Sequence, residues 1–116
     1  MEDCSALIFD HAAINKRLLG KTEIVIKIAR VFVEDMAIQL AKLDPLVQAG
    51  NFEPIKLQAH KIKGSSANMA ALQMSEMAKA MEMAAKDSNI EKITELHPKL
   101  LQSFTALKQE FEAVLF

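Results

Sequence analysis

Hydrophobic residues recur at intervals of three and four along most of this chain, which is the spacing of amphipathic helices. The longest such stretch begins near Thr22, a suitable N-terminal cap, and runs to Gly50. Its first part, EIVIKIARVFV, is rich in β-branched residues and would suit a strand on local propensity alone. Helical spacing decides against a strand. The positions predicted to form the apolar face of this helix are Ile24, Ile28, Val31, Met36 and Leu40.

Turn-forming residues divide the rest of the chain into further helices. A short leading helix is predicted over about residues 10–19, and Gly20 can end it in the left-handed conformation. A third helix follows the turn after the long helix and has Pro54 in its first turn, where a missing N–H is tolerated. A fourth helix is predicted over residues 72–86, and a turn at residues 87–89 supplies a cap for the last one.

Two prolines lie within these helical stretches. Pro45 should kink or interrupt the long helix, and Pro98 should kink the last helix or mark its true start. Because the connections are short, the elements predict an all-α fold, an antiparallel up-and-down four-helix bundle with a short additional N-terminal helix. We expect a single domain over residues 1–116, with the bundle at about residues 22–115.

Composition and charge exclude several classes of function. The formal net charge is −1 and charges of both signs are interspersed, which argues against nucleic acid and favours a protein partner. No apolar run approaches the ~20 residues that cross a bilayer, so direct membrane contact is not expected. The first residues are acidic and are not followed by a long apolar core, so a secretory signal is not expected. Cys4 is the only cysteine, which excludes an internal disulfide and fits a reducing compartment such as the cytoplasm.

The candidate chemistry lies in the third helix, in the run AHKIKGSSANMAA at residues 59–71. On a helical wheel, Ile55, Ile62 and Met69 fall within roughly 40° of the side opposite His60. The imidazole of His60 is therefore predicted to face outward. The residues that share or border its face are Lys56, Leu57, Lys63, Gly64, Ala67 and Asn68.

These residue types suit a site that accepts and holds a phosphoryl group. An exposed imidazole is largely unprotonated near neutral pH, so it keeps a nucleophilic lone pair. Lys56, Lys61 and Lys63 disfavour the imidazolium and become counter-charges once a phosphoryl group is attached, with Lys63 best placed. Gly64 inside a helix costs about 1 kcal/mol relative to alanine, which points to a need for access beside the imidazole.

Other polar residues offer less. No carboxylate is predicted close enough to act as an acid or base, since Glu53 lies two turns back, so the site lacks the means for a complete catalytic cycle. His11 and His97 have no Lys-Gly companions, and His97, which precedes Pro98, is predicted to be a turn or kink residue. The three histidines lack the spacing of a zinc site, so no metal is expected.

The run AHKIKGSSANMAA resembles the signature of histidine-containing phosphotransfer (HPt) domains, H-x-x-K-G-S followed by a small residue, an Asn and a Gly. The matching positions are Ala59, His60, Lys63, Gly64, Ser65, Ser66 and Asn68. Ala70 stands where the family commonly has Gly, which affects the turn after the third helix but not the nucleophile. Outside this run the likeness is one of helix pattern, and it covers nearly the entire chain.

The resemblance implies a phosphorelay intermediate that takes a phosphoryl group from a receiver aspartyl phosphate onto His60 and passes it to another receiver aspartate. It implies that Lys63 neutralises phosphoryl charge and that Gly64 gives steric access. The implied contacts with the receiver are Lys56, Leu57, Lys61, Ala67 and Asn68. The implied domain is a monomeric phosphocarrier without autonomous kinase activity that binds no cofactor itself, since the receiver supplies Mg²⁺.

Two other functions stay open at this point. One is a helical adaptor in which His60 is incidental. The other is the dimerisation and phosphoacceptor hairpin of a sensor kinase, where an acidic residue usually follows the histidine and a proline lies a few residues on. Here Lys61 follows, and the next proline is Pro98. A free-standing protein and the cytosolic end of a membrane-anchored hybrid sensor kinase both fit the sequence.

Overall fold

Five helices make up the regular secondary structure of the computed structural model, which describes residues 6–116. They are α1 (His11–Arg17), α2 (Thr22–Ala49), α3 (Phe52–Asn68), α4 (Leu72–Lys86) and α5 (Ile90–Val114). Connections of two or three residues link each helix from α2 to α5 to the next one, so consecutive long helices run in opposite directions. α3 packs between α2 and α4, and α5 packs against both α4 and α2, which closes the bundle. The predicted all-α bundle with a short leading helix is confirmed.

The long helix α2 sets the length of the molecule. Its 28 residues, at about 1.5 Å each, give about 42 Å, which equals the longest extent of the fold. Thr22 is its first residue and not its cap, a position that Lys21 occupies. The predicted interruption at Pro45 is wrong, because α2 continues to Ala49. Burial of Leu43 and Val47 on either side of this proline offsets the hydrogen bond that it removes.

Helix α5 also continues through a proline. It begins at Ile90, where the side chain of Asn89 accepts a hydrogen bond from the backbone N–H of Lys92 at 3.1 Å. Pro98 therefore does not mark the start of the helix. The prediction that His97 is a turn residue is wrong, because His97 lies within α5 and is buried. Its Nε2 is 3.9 Å from Asp44 Oδ1.

The buried face of α2 differs from the prediction in its N-terminal half. Ile24, Ile28 and Val31 are 42%, 40% and 60% exposed, so they do not belong to the core. The residues of α2 that are buried are Val25, Ala29, Phe32, Met36, Leu40, Leu43 and Val47. The run EIVIKIARVFV has apolar residues on two faces, and contact with α3 and α5 selects the one that is buried. The other face stays open to solvent.

The leading helix α1 is fixed to the connection between α3 and α4. The backbone N–H of Asp10 donates to the carbonyl of Ala70 at 2.8 Å, and the guanidinium of Arg17 donates to the carbonyl of Asn68. α1 is shorter than predicted, and Gly20 follows it with a φ of 71°, in the left-handed region predicted for it. Ala70 has a φ of 60°, so this alanine adopts a conformation that favours glycine.

Cys4 lies outside the described residues, so the interpretation that rests on it stays a prediction. Within residues 6–116, no helix has the length and apolar character needed to cross a membrane.

Candidate functional site

The imidazole of His60 lies on the outward face of α3. Its side chain is 63% exposed, whereas Ile55 and Ile62 on the same helix are fully buried and Met69 at its C-cap is almost so. This is the orientation that the helical wheel predicts. The ring is therefore within reach of another molecule, while the helix that carries it is fixed by its apolar side.

Gly64 lies one turn after His60 on the same exposed face. A Cβ atom added at this position would have no heavy atom within 4 Å beyond its own helical surroundings. The backbone does not require glycine either, because the residue lies inside α3 and is not among those with a positive φ. Nothing in the packing of residues 6–116 explains this glycine, and it leaves open space beside the imidazole.

A carboxylate from the neighbouring helix completes the site. Glu82 on α4 places Oε2 2.9 Å from His60 Nδ1 and Oε1 2.8 Å from Lys63 Nζ. The prediction that no carboxylate lies close enough is therefore wrong. It considered only α3, whereas Glu82 comes from the antiparallel partner helix. The sequence did contain a signal for this contact. His60 and Glu82 are equally far along the chain from Ala71, which lies in the turn between α3 and α4, so they are level with each other in an antiparallel pair of helices.

The electrostatics of this cluster keep Glu82 ionised. The hydrogen bond from Lys63 lowers the pKa of the Glu82 carboxyl, and the hydrogen bond from His60 lowers it further, while partial burial acts in the opposite direction. An ionised carboxylate only accepts hydrogen bonds, so the proton of the neutral imidazole must be on Nδ1. The other ring nitrogen, Nε2, has no partner among the described residues.

The remaining predicted contact residues of α3 lie on or beside the same face. Leu57, Lys61, Ala67 and Asn68 are exposed. Lys56 is half-buried, and its Nζ lies 3.3 Å from a carboxylate oxygen of Glu53. The structure thus places all five around the outward side of α3.

Helix α2 adds an apolar edge to this surface that the sequence analysis did not assign to the site. A shallow groove between α2 and α3 is lined by Ile28, Val31 and Asp35 from α2 and by Ser65 and Asn68 from α3. The signal in the sequence was the second apolar face of EIVIKIARVFV, which a single core stripe does not explain.

Buried polar contacts fix α3 against its neighbours. Gln58 is buried, and its Nε2 donates to the backbone carbonyl of Gln39 at 3.1 Å and to the side-chain Oε1 of the same residue at 2.9 Å. Ser75 Oγ on α4 donates to the carbonyl of Lys63 at 3.2 Å. Ser66 is fully buried. The hydrogen bonds of Gln58 therefore fix α3 against α2, whereas Ser66 packs inside the bundle, and neither side chain reaches the outward face.

Comparisons with known proteins place this site in a family. A family model described as the Hpt domain matches residues 27–115, a range that contains both His60 and Glu82. No curated protein is significantly similar to the chain. A solved structure, histidine-containing phosphotransfer protein B from Pseudomonas aeruginosa PAO1, has the same fold. Its TM-score is 0.85 at 23% identity, over 94% of this chain and 95% of that one. The chain belongs to the Hpt domain family, whose members are histidine phosphotransfer intermediates in phosphorelays.

Proposed function

We propose that His60 is the phosphoacceptor of this Hpt domain and that it exchanges a phosphoryl group with aspartates of receiver domains. The observation that carries the proposal is the exposed imidazole of His60 beside the open position at Gly64. His97 is buried, so it cannot meet a docked donor. The third histidine of the chain, His11, stacks on the ring of Phe9.

In the proposed transfer, the Nε2 lone pair of His60 attacks phosphorus, and the bond from phosphorus to the receiver aspartate breaks. The aspartate leaves as a carboxylate. In the second transfer, an aspartate oxygen of another receiver attacks phosphorus, and Nε2 recovers its lone pair. Acyl phosphate and phosphoramidate are both high-energy linkages, so alignment and charge neutralisation are the main contributions that the docked proteins must make.

Lys63 supplies positive charge at the site. Its Nζ is 2.8 Å from Glu82 and one helical turn from His60. An ammonium group has three N–H donors, so Lys63 can keep Glu82 and still donate to a phosphoryl oxygen. The incoming group carries close to two negative charges, which makes this additional hydrogen bond favourable.

A receiver domain is the proposed partner, and its footprint combines α3 with α2. Leu57, Ala67 and Asn68 surround the imidazole on α3, while Ile28 and Val31 extend the exposed apolar surface on α2. Apolar contact at the centre with charged residues at the edge is the usual anatomy of such an interface. Lys56 and Lys61 would provide part of that charged edge.

The proposal gives this chain no metal of its own. Mg²⁺ requires several oxygen ligands, whereas Glu82 is already hydrogen-bonded to His60 and Lys63. We propose that the receiver carries the Mg²⁺ that transfer requires. We also propose that the protein is a monomer, because its helices bury one core among themselves, and that it works in the cytoplasm.

The test is transfer of labelled phosphate from receiver domains charged beforehand, with the wild-type protein and the His60→Gln and His11→Gln variants in parallel. We expect acid-labile, alkali-stable label on the wild type and on His11→Gln, and none on His60→Gln. Thermal unfolding should show little loss of stability for His60→Gln, because the side chain is largely exposed.

A negative result must separate a missing partner from a missing activity. Phosphoramidate, a small-molecule phosphoryl donor, phosphorylates histidine without any receiver. Label on His60 from phosphoramidate, with none from the receivers tested, would mean that His60 is reactive and that the partner receiver was not among those tested. Absence of phosphohistidine even with phosphoramidate would overturn the proposal in favour of a helical adaptor.

A further inference from the structure

An exposed ion pair lies on α3, on the N-terminal side of His60. The Nζ atom of Lys56 is 3.3 Å from Oε1 of Glu53, and the two side chains are 35% and 69% exposed. Ion pairs of this kind, between residues three apart on a helix surface, contribute little to stability because water solvates both charges well. Glu53 therefore holds Lys56 only weakly, and a stronger anion within reach can replace it.

The position of Lys56 brings it close to a group that the imidazole carries. Lys56 lies four residues before His60 on the same helix, so the two side chains are neighbours on its surface. Helical side chains lean toward the N-terminus of their helix, so the ring of His60 extends toward the turn that contains Lys56. Lys63 lies on the other side of the ring, where its Nζ is bonded to Glu82. A group attached to Nε2 is therefore within reach of two ammonium groups.

The charges of this surface are paired only while the imidazole is unmodified. Lys63 faces Glu82, and Lys56 faces Glu53, so each of the two lysines already has a carboxylate as its counter-charge. A phosphoryl group adds close to two negative charges. Lys63 is shared with Glu82 and cannot neutralise both of them, so the phosphorylated site needs a second cation.

We propose that Lys56 is this second cation, and that it leaves Glu53 for the phosphoryl group once His60 is phosphorylated. This inference rests on the proposed function, since it requires a phosphoryl group on His60. No covalent bond changes in the exchange, because one ion pair replaces another. Lys56 contacts the phosphoryl group, whereas Glu53 acts through Lys56 as a positioning residue that competes for its ammonium group.

The exchange requires no movement of the backbone. Lysine has a flexible four-carbon stem, so rotation about side-chain bonds moves the ammonium group from Glu53 toward the ring. Ile55 and Ala59, on either side of Lys56 along the helix, are fully buried, so this part of α3 stays in place. Glu53 is largely exposed and returns to water at little cost, while a hydrogen bond to a doubly charged group is the stronger one for Lys56.

Lys61 provides a matched comparison for Lys56. It carries the same charge and is also close to His60 in the sequence, but it is the next residue along the helix. Consecutive residues point about 100° apart around a helix and do not face each other. Lys61 should therefore act on the phosphoryl group only through long-range attraction, which water screens.

The test measures the charge around the phosphoryl group directly. The full chain is phosphorylated with phosphoramidate, so no receiver is needed, and phosphorus-31 NMR follows the protonation of the phosphoryl group as the pH is varied. A nearby cation favours the doubly charged form and lowers the midpoint of this titration. In Lys56→Gln we expect the midpoint to rise by about 0.3–0.5 pH unit, the size of effect that an exposed ion pair produces. In Lys61→Gln the shift should be less than half as large.

Glu53→Gln should move the midpoint in the opposite direction. Loss of the competing carboxylate leaves Lys56 available to the phosphoryl group at all times, so the midpoint should fall. Removal of a negative charge could have the same sign without any exchange, and the double variant Lys56→Gln/Glu53→Gln separates the two causes. If Glu53 acts through Lys56, its replacement should have no further effect once Lys56 is absent.

The outcomes distinguish this inference from the proposed function. A midpoint that is unchanged in Lys56→Gln, or one that shifts equally in Lys61→Gln, would overturn the role of Lys56 while phosphorylation of His60 stands. An effect of Glu53→Gln that persists in the double variant would mean direct repulsion and would refute the exchange. If the wild type forms no phosphohistidine with phosphoramidate, the proposed function itself fails, and this inference fails with it.

Discussion

Replacement of Gly64 by alanine should make this protein more stable and less able to receive a phosphoryl group. Most substitutions near a functional site lower both properties, so opposite signs give a stringent test. The reasoning depends on two features of the structure. Gly64 is an interior residue of α3, and the position where its Cβ would lie is empty.

The gain in stability follows from helix propensity. Alanine is favoured over glycine by about 1 kcal/mol at an exposed interior position of a helix. Beyond its own helical surroundings, no heavy atom lies within 4 Å of the added Cβ, so no clash reduces this gain. For a chain of 116 residues, 1 kcal/mol corresponds to a rise in Tm of about 4 °C. Gly50→Ala is the matched contrast, because Gly50 has a φ of 68° and alanine should there lower Tm by a similar amount.

The loss of function follows from the position of the new methyl group. It would lie one turn from His60, on the surface that we propose a receiver covers. A displacement of about 1 Å between reacting groups can cost about a hundredfold in rate, so a loss of at least about tenfold is expected for transfer from a receiver. Phosphoramidate does not need this surface, so its reaction with the variant should remain close to that of the wild type.

The assay combines thermal unfolding with both transfer reactions on the same preparations. A Gly64→Ala protein that is stabilised and transfers from a receiver at the wild-type rate would refute the steric role of the glycine. A destabilised variant would refute the description of its surroundings as open helix. Equal loss with the receiver and with phosphoramidate would place the effect on the imidazole itself and not on docking.

Three further predictions use other parts of the fold. Val31→Ser should leave the free energy of unfolding within about 0.5 kcal/mol of the wild type and weaken receiver binding in a titration, because this side chain is exposed on α2. Neighbours lower the pKa of Glu82 in the folded state, so its stabilising contribution is present at neutral pH and is lost as the pH falls through that pKa. The difference in unfolding free energy between wild type and Glu82→Gln should therefore shrink as the pH falls below 4.5, the ordinary pKa of a glutamate. In a denaturant titration, Ser88→Gly should raise the free energy of unfolding by about 1 kcal/mol, since Ser88 is exposed and has a φ of 54°. Ala70→Gly should be nearly neutral in the same titration. Relief of the left-handed conformation is there offset by the loss of a buried methyl group, worth about 0.8 kcal/mol.

The helices could be predicted because their signals are local. Apolar spacing, Asn89 as a cap and Gly20 as a left-handed residue all act within a few positions of the chain. The effect of Pro45 could not be predicted in the same way. A proline weakens a helix locally, but burial of the flanking turns depends on α3 and α5, which are remote in sequence. The same reason explains why the core face of α2 was misplaced near Ile24 and Val31.

The residues of the site can be divided in the same way, into those that local sequence predicts and one that depends on the packing of two helices. The run around His60 contains the imidazole, the cation and the open position of the glycine, and all three belong to a single helix whose wheel can be drawn from sequence. Glu82 belongs to α4, and its approach to His60 depends on how two helices are aligned. A search for a short sequence motif detects residues that lie together on one helix and misses a residue that another helix brings to the site.

The alignment of α3 with α4 is itself set by a short connection, and this links the turn to the chemistry. Three residues join the helices, and Ala70 among them takes a left-handed conformation while its carbonyl accepts a hydrogen bond from Asp10. One residue more or less in this turn would rotate α4 by about 100° relative to α3. Such a rotation would carry Glu82 away from His60 although the sequence around the histidine stayed the same. The run around His60 therefore supplies the imidazole, but the geometry of the turn determines whether a carboxylate lies beside it.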